Sequence, residues 1–393
     1  MYLNFDEFYR WPILAMKLNR SHPHIKRDKK WFMQFFILHG MFTIIFLLII
    51  YCVIFHDLKN NDFSATCRNG CLSVMYFVVS FNYAVMLANQ DLLTSMFEIM
   101  KADYKETQSF ITEEQKVVLK YAEQSKWVCT QWLAISIAGV VLFPLRNFIL
   151  YAYYYYKDDF KLVPVYDMTF PRIIEENKES NFFVYLLTYF LIMYFGLYGS
   201  FMYAAFVPIG PIFMLHSCAR LEVIIKRVKD LFILNNEEEA NEKLKDIIQE
   251  IQYVYSFVEK TKICFRVVYE LTMKATTIIL PIAIYEVIKA FHKGEIRVEL
   301  GAFIFGGVLI SSSPCFYSDL LMEKGEELRL AVYSSRWEEA SSSRARSTLL
   351  VILLRALQPI AIRTMFRTVC LDALTDLFQQ SYAIFNLMCA MWG

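Results

Sequence analysis

Long apolar runs separated by charged segments organise this chain. A helix needs about 18 or more predominantly apolar residues to cross a bilayer. Seven runs meet this length, at 31–56, 71–89, 127–145, 182–208, 271–291, 300–321 and 366–392. Lys274 and Glu286 interrupt the fifth run, and a serine triplet followed by Pro314 interrupts the sixth. Because charged and polar residues are costly in lipid, we expect these two helices to face protein or a cavity.

Between the fourth and fifth runs, the apolar residues recur every three to four positions. Leu221, Ile224 and Val228 follow this spacing, and Leu244, Ile247, Ile251 and Val254 repeat it after an acidic, Asn-containing turn. This period is typical of amphipathic helices. Residues 211–262 are therefore predicted to form a helical hairpin outside the bilayer.

The composition supports a membrane protein. Of the 393 residues, 56% are hydrophobic and 17% are aromatic, whereas soluble domains are about 45–50% apolar. The surplus apolar surface must face lipid. The formal net charge is +1, so no overall field favours nucleic acid or acidic substrates.

The distribution of Lys and Arg sets the orientation. Segments 1–30, 90–126, 211–262 and 324–365 contain 27 of them, against 9 in segments 57–70, 146–181 and 292–299. Cationic loops stay on the cytosolic side. The N-terminus is therefore predicted to be cytosolic and, after seven crossings, the C-terminus extracellular. This orientation opposes that of G-protein-coupled receptors, and we expect no cleaved signal peptide before the first run.

The sequence carries no pattern typical of an enzyme or a metal site. Most of the nine cysteines lie in or beside apolar runs, where a thiol usually packs as a small apolar group. Cys67 and Cys71 lie near the outer surface, and their oxidation state stays open. The six histidines are scattered, and phosphate-binding loops and nucleophile motifs are absent. We expect no catalytic residues, no metal and no cofactor.

The C-terminal third resembles the insect odorant receptor family. The match begins with a Cys near the inner end of the sixth helix and continues with an Ala-x-Tyr-x-x-x-Trp motif. It then runs through a basic helix ending in Gln-Pro to a terminal Ser-Tyr-x-x-Phe. The matching residues are Cys315, Ala331, Tyr333, Trp337, Gln358, Pro359, Ser381, Tyr382 and Phe385. Over the first 300 residues the similarity is one of topology and length.

The resemblance implies an all-α membrane protein that acts as a ligand-gated, non-selective cation channel in the plasma membrane. Four subunits, here a tuning, odorant-binding receptor and the odorant receptor co-receptor, would form a heterotetramer around one central pore. The chain lacks the long second cytosolic insertion expected of the co-receptor, which favours the tuning role. A gustatory-type channel of the same fold is the alternative, and a transporter is a more distant one. The expected partners are a small volatile odorant and the lipid bilayer, with no nucleic acid.

These expectations divide the chain into six parts. Residues 1–30 would be a cytosolic segment, and 31–210 would hold helices one to four with the outer ligand-binding half. The cytosolic anchor would combine the hairpin 211–262 with helices in 324–365. Residues 263–323 would hold helices five and six, and 366–393 the terminal pore-lining helix.

The family resemblance also implies an odorant pocket in the outer half of helices two to six. Small, hydroxyl-bearing and aromatic residues on these helices suit an apolar site with one or two hydroxyls. We expect it to hold a small, volatile, aromatic or heteroaromatic molecule. Ordinary packing between helices is the alternative explanation for the same residues. The candidates are Ser73, Tyr76, Phe77, Ser136, Gly139, Phe143, Met193, Leu197 and Phe303.

The terminal run carries a polar stripe. At 100° per residue, its polar and small residues share one face, which favours contact with an aqueous pathway. The expected pore residues are Asp372, Asp376, Gln379, Ala383, Asn386, Leu387 and Met391, the last two near a hydrophobic gate. Pairing of the two aspartates with Arg363 or Arg367 is the alternative.

An apolar ridge is also predicted in the helices of segment 324–365 of the anchor. It consists of Trp337, Leu349, Leu353 and Leu357, of which the leucines are four residues apart. Such a ridge packs either against a neighbouring subunit or within its own.

Overall fold

The protein is helical throughout the part of the chain that the structure describes. The computed structural model describes residues 4–392 except 158–161, 167, 169, 179, 232–236, 293, 295–297 and 336–342. Within these residues, the only β-type pairing is an isolated bridge between Arg363 and Thr368. The helices are α1 (Phe5–Phe8), α2 (Arg10–Leu18), α3 (Lys29–Cys52), α4 (Phe63–Ala88), α5 (Gln90–Glu106), α6 (Thr112–Tyr156), α7 (Arg172–Glu175), α8 (Phe182–Phe206), α9 (Ile209–Lys229), α10 (Glu237–His292), α11 (Val298–Tyr333), α12 (Ser343–Ala356) and α13 (Leu371–Trp392).

Six helical stretches of the described chain are long and apolar enough to cross a membrane. They are Lys29–Asp57, Phe63–Ala88, Thr112–Tyr156, Phe182–Asp230, Glu238–His292 and Leu300–Tyr333. Each contains one of the first six predicted runs, except that Phe63–Ala88 ends one residue before the end of the run 71–89. The 22-residue α13 contains most of the seventh run. Asp, Gln and Asn residues interrupt its apolar sequence.

The starts of α4 and α13 differ from the starts of the predicted runs for identifiable reasons. α4 starts at Phe63, eight residues before the predicted run, because the Asp62 carboxylate accepts the Ala65 N–H at 3.0 Å and caps the helix. α13 starts at Leu371, five residues after the start of the predicted run. Residues 362–369 form a tight reversal instead, in which the Val369 N–H donates to the Ile362 carbonyl at 2.9 Å.

The C-terminal part of α9 and the N-terminal part of α10 form a paired helical hairpin. Leu221, Ile224 and Val228 of α9 are buried, as are Leu244 and Ile251 of α10. Each such side chain contributes roughly 1.5–3 kcal/mol of hydrophobic free energy when fully buried. The hairpin therefore follows the apolar spacing seen in the sequence.

Gly210 allows α10 to approach the start of α9 closely. A Cβ atom at this position would overlap the Tyr269 hydroxyl of α10. Since Gly210 lies between Pro208 and Pro211, the junction of α8 and α9 combines a helix interruption with a close contact.

A buried ionic cluster joins α5 to the same hairpin. Asp103 accepts hydrogen bonds from the Tyr253 hydroxyl at 2.6 Å, from His216 Nε2 at 2.8 Å and from Arg220 Nη2 at 3.3 Å. Arg220 also donates to Glu106 at 2.8 Å. Burial alone would raise the pKa of Asp103, but the contacts with His216 and Arg220 hold that pKa below its ordinary value. The carboxylate is therefore charged and satisfied inside the protein.

Candidate ligand-binding cavity

A cavity of about 240 Å³ lies between the membrane helices, on the side of the bundle that the charge pattern places outside the cell. Five helices that the sequence assigned to the pocket contribute to its wall, namely α4, α6, α8, α10 and α11. α3 also contributes, through Ile45 and Ile49, and so does the connection between α6 and α8. The lining is mostly aliphatic and aromatic, which is typical of sites for small apolar ligands.

Gly139 keeps the wall between α6 and α8 open. A Cβ atom built at this position would lie 3.9 Å from the Ser200 Oγ of α8, an ordinary van der Waals contact. A larger side chain would extend into the cavity. The size of residue 139 therefore sets how much of the cavity a ligand can occupy.

Aromatic rings close the outer end of the cavity. The Tyr166 ring lies edge-on to Phe143 of α6 and to Phe303 of α11, with 6.4 Å between ring centroids in both pairs. The Tyr166 hydroxyl points away from this contact and donates to the Arg68 carbonyl at 3.3 Å. The ring therefore presents its apolar edge or face to a bound molecule.

The segment that carries Tyr166 is tied to two membrane helices through one carbonyl. The Val163 carbonyl accepts hydrogen bonds from Asn147 Nδ2 at 3.2 Å, from the Tyr151 hydroxyl at 3.1 Å and from the Tyr185 hydroxyl at 3.1 Å. Asn147 and Tyr151 lie on α6, and Tyr185 lies on α8. This attachment holds a connecting segment over the cavity as part of its wall.

Six of the nine residues expected at the pocket line this cavity. They are Ser136, Gly139 and Phe143 on α6, Met193 and Leu197 on α8, and Phe303 on α11.

The three candidates on α4 lie elsewhere. Ser73 donates to the Asn69 carbonyl at 2.9 Å. The Tyr76 hydroxyl lies 2.7 Å from Thr43 Oγ1 of α3, and its ring stacks on Phe46 with 4.0 Å between centroids. The Phe77 residue is 55% exposed on the outside of the bundle. On α4, Cys71, Leu72, Met75 and Val78 line the cavity instead, so the pocket face of this helix is rotated from the predicted one.

Other lining residues were not among the predicted set. Thr272 and Thr276 come from α10, and Val165, Tyr166 and Met168 from the connection after α6. Ser200 and Tyr203 continue the face of Met193 and Leu197 on α8. The helical spacing of three to four residues along α8 was the signal that could have identified them.

The polar stripe on α13 faces away from the rest of its own chain. Its opposite face is buried through Ala373, Leu377, Ser381 and Met388, and Ser381 Oγ donates to the Thr277 carbonyl of α10 at 3.3 Å. Neither Asp372 nor Asp376 forms an ion pair within the described chain, so the alternative pairing with an arginine is not observed. All seven residues expected at the pore are exposed, namely Asp372, Asp376, Gln379, Ala383, Asn386, Leu387 and Met391.

The predicted ridge on α12 divides between two faces of that helix. Leu349 is buried within its own chain, Leu353 packs partly against the same core, and Leu357 is exposed. Trp337 lies outside the described residues. The exposed apolar face of α12 and the residue that follows it comprises Leu350, Val351, Leu354 and Leu357.

Comparisons with known proteins agree with this architecture. The structure is similar to that of the insect olfactory receptor OR5 from Machilis hrabei in complex with eugenol. The TM-score is 0.76 at 15% sequence identity, and the match covers 98% of this chain and 99% of that chain. A second structure of the same receptor matches with a TM-score of 0.72 at 14% identity, covering 98% of each chain.

No curated protein sequence matches the chain. The sequence model of the 7tm odorant receptor family, however, matches residues 62–382. This match covers α4 to most of α13, and with them every helix that lines the cavity except α3. The chain belongs to the 7tm odorant receptor family.

Proposed function

We propose that this protein is the tuning subunit of an odorant-gated, non-selective cation channel in the plasma membrane. It binds a small volatile molecule in the cavity and opens a central pore in a tetramer with the odorant receptor co-receptor. The observation that carries this proposal is the apolar cavity among the membrane helices, since a receptor for volatiles needs such a site. Only seven residues, 230–236, separate α9 from α10 in the second cytosolic loop, and the lack of a long insertion there supports the tuning role.

The cavity suits a compact, mainly apolar ligand. An apolar cavity of about 150 Å³ in another protein holds benzene, so 240 Å³ is suited to roughly ten non-hydrogen atoms by the same comparison. The rings of Phe143, Tyr166 and Phe303 favour an aromatic molecule through edge-to-face contacts. The related receptor from Machilis hrabei was solved in complex with eugenol, which supports an aromatic ligand here.

Expression in cells tests this function. The chain would be expressed with and without a co-receptor, and whole-cell current would be recorded during steady application of single volatiles. We expect a current that persists while the ligand is present and that needs both subunits. Saturable uptake of the volatile without a current would instead indicate a transporter.

Substitutions on α13 test its role in the pore. If the exposed stripe lines the pore, replacing Asp372 and Asp376 together by asparagine removes rings of negative charge and lowers the single-channel cation conductance. Leu387→Ser wets a hydrophobic constriction and raises the ligand-free current. Wild-type conductance, selectivity and leak in both variants would show that α13 does not line the pore.

The exposed apolar face of α12 is expected to contact a neighbouring subunit. Leu354→Asp places a charge on this face and should lower the fraction of tetramer on a native gel while the subunit itself still folds. Thr348→Asp, on another side of the same helix, serves as the control. An unchanged tetramer fraction for Leu354→Asp would remove this face from the interface.

A further inference from the structure

The hydroxyl groups around the cavity divide into two sets. In the first set, each hydroxyl already has a partner in the protein. Thr272 Oγ1 donates to the Val268 carbonyl at 2.8 Å, and Thr276 Oγ1 donates to the Thr272 carbonyl at 2.9 Å. The Tyr166 hydroxyl donates to a backbone carbonyl of α4. These residues therefore offer methyl groups or a ring to a ligand.

In the second set, the hydroxyls have no partner. Ser136, Ser200 and Tyr203 line the cavity, and none of their hydroxyls forms a hydrogen bond with any other described residue. A helical serine commonly donates to the carbonyl four residues earlier, as Ser125 and Ser217 do here at 2.9 and 3.0 Å. Ser136 and Ser200 depart from this pattern, which leaves their hydroxyls available to a bound molecule.

The three free hydroxyls lie together at the cytosolic end of the cavity. Ser200 and Tyr203 are three residues apart on one face of α8, which runs from the outer side inwards. Ser136 lies about one turn towards the cytosol from Gly139, and Gly139 faces Ser200 across the helix contact. The aromatic cluster of Phe143, Tyr166 and Phe303 lies at the opposite end. The cavity is therefore polar at one end and aromatic at the other.

We propose that this cavity selects ligands that carry one hydrogen-bonding oxygen, such as a phenol, an alcohol or a carbonyl compound, at one end of an apolar body. The oxygen meets Ser136, Ser200 and Tyr203, and the body lies towards the aromatic cluster. This inference rests on the proposed function, because it specifies the ligand of the same cavity.

Hydrogen-bond energetics determine how strongly the cavity prefers an oxygenated ligand over a hydrocarbon. Water can solvate the three hydroxyls while the cavity is empty, and a ligand oxygen replaces that water. A hydrocarbon of the same shape displaces the water and leaves the hydroxyls unpaired, which lowers its affinity. The oxygenated ligand should therefore act at concentrations roughly 10- to 100-fold lower than its hydrocarbon analogue.

Two matched pairs of volatiles test the proposal. In 4-propylphenol and 4-propyltoluene a hydroxyl replaces a methyl group on the same aromatic body, and 1-nonanol and decane form the equivalent aliphatic pair. Half-maximal concentrations would be measured from whole-cell currents in cells that express this chain with a co-receptor. For the wild type, we expect the oxygenated member of a pair to be about 10- to 100-fold more potent.

Variants that remove single hydroxyls test which residues cause the preference for the oxygenated ligand. Tyr203→Phe, Ser136→Ala and Ser200→Ala should each weaken the response to the oxygenated ligand and leave the response to the hydrocarbon unchanged or stronger. Thr272→Val is the matched control, because its hydroxyl is bonded within α10 and its loss should leave the potency ratio unchanged. Surface labelling confirms that each variant reaches the membrane.

Each outcome bears on the proposal. Equal potency of the two members of a pair on the wild type would overturn it, as would a ratio that all three hydroxyl variants leave unchanged. Silence of both oxygenated probes on a channel that other volatiles open would also overturn it. A channel that no volatile opens contradicts the proposed function itself, and this inference falls with it.

Discussion

Replacing Gly139 by leucine should reduce the sensitivity to ligands by roughly 5- to 150-fold. The new isobutyl group would enter the cavity next to Ser200 and take space that a ligand needs. Overpacking of this kind costs about 1–3 kcal/mol, which corresponds to a factor of about 5 to 150 in affinity. Dose–response curves for current, measured against the surface level of the protein, give the effect.

Gly139→Ala is the matched control for this change. The added Cβ would lie 3.9 Å from Ser200 Oγ, so the alanine variant should respond within a few-fold of the wild type. Wild-type sensitivity of the leucine variant at normal surface level would show that ligands bind elsewhere.

Replacing Asp103 by alanine should strongly destabilise the hairpin of α9 and α10. It would leave Arg220, His216 and Tyr253 without their shared acceptor in a buried site, where the Asp103 side chain is only 7% exposed. Removing one partner of a buried ion pair typically costs about 3–5 kcal/mol. Since membrane proteins often unfold irreversibly, the measurement is the temperature at which half of the detergent-solubilised protein is lost from its size-exclusion peak.

Glu106→Gln is the control that tests whether burial of the ion pair, rather than its charge alone, determines the loss of stability. Glu106 also pairs with Arg220, but its side chain is 52% exposed, and exposed pairs contribute only about 0–1 kcal/mol. This variant should therefore melt close to the wild type. Equal melting of the Asp103→Ala variant and the wild type would show that the cluster does not stabilise the fold.

The pH dependence of this cluster follows from the direction of the pKa shift. Because the pKa of Asp103 is held below its ordinary value, its contribution to stability is complete above the ordinary carboxyl range. The contribution is lost as the pH falls from that range through the lowered value. At neutral pH the contribution of Asp103 is therefore complete.

The sequence predicted the helices well wherever a long periodic pattern was present. The hairpin of α9 and α10 follows from apolar residues such as Leu221 and Ile247, because their spacing places them on one face of each helix. Helix starts were less predictable, because Asp62 and the reversal after Ile362 act through local hydrogen bonds. A hydropathy pattern does not encode these bonds.

The cavity was predicted on α6, α8 and α11 and missed on α4. On α6, Gly139 and Phe143 share the face that lines the cavity, so their spacing was sufficient. On α4, Tyr76 bonds to Thr43 of α3, and this tertiary contact decides which face of the helix turns inwards. Tyr166 was missed because no periodicity indicates where a connecting segment will lie.

The contact between Ser381 and Thr277 bears on how a bound ligand would be coupled to the terminal helix. Thr276 lines the cavity, and the carbonyl of the very next residue accepts the bond from α13. One turn of α10 therefore touches the ligand space on one side and the terminal helix on the other. A signal from a bound ligand to α13 would cross only one helix backbone, without a relay of intervening side chains.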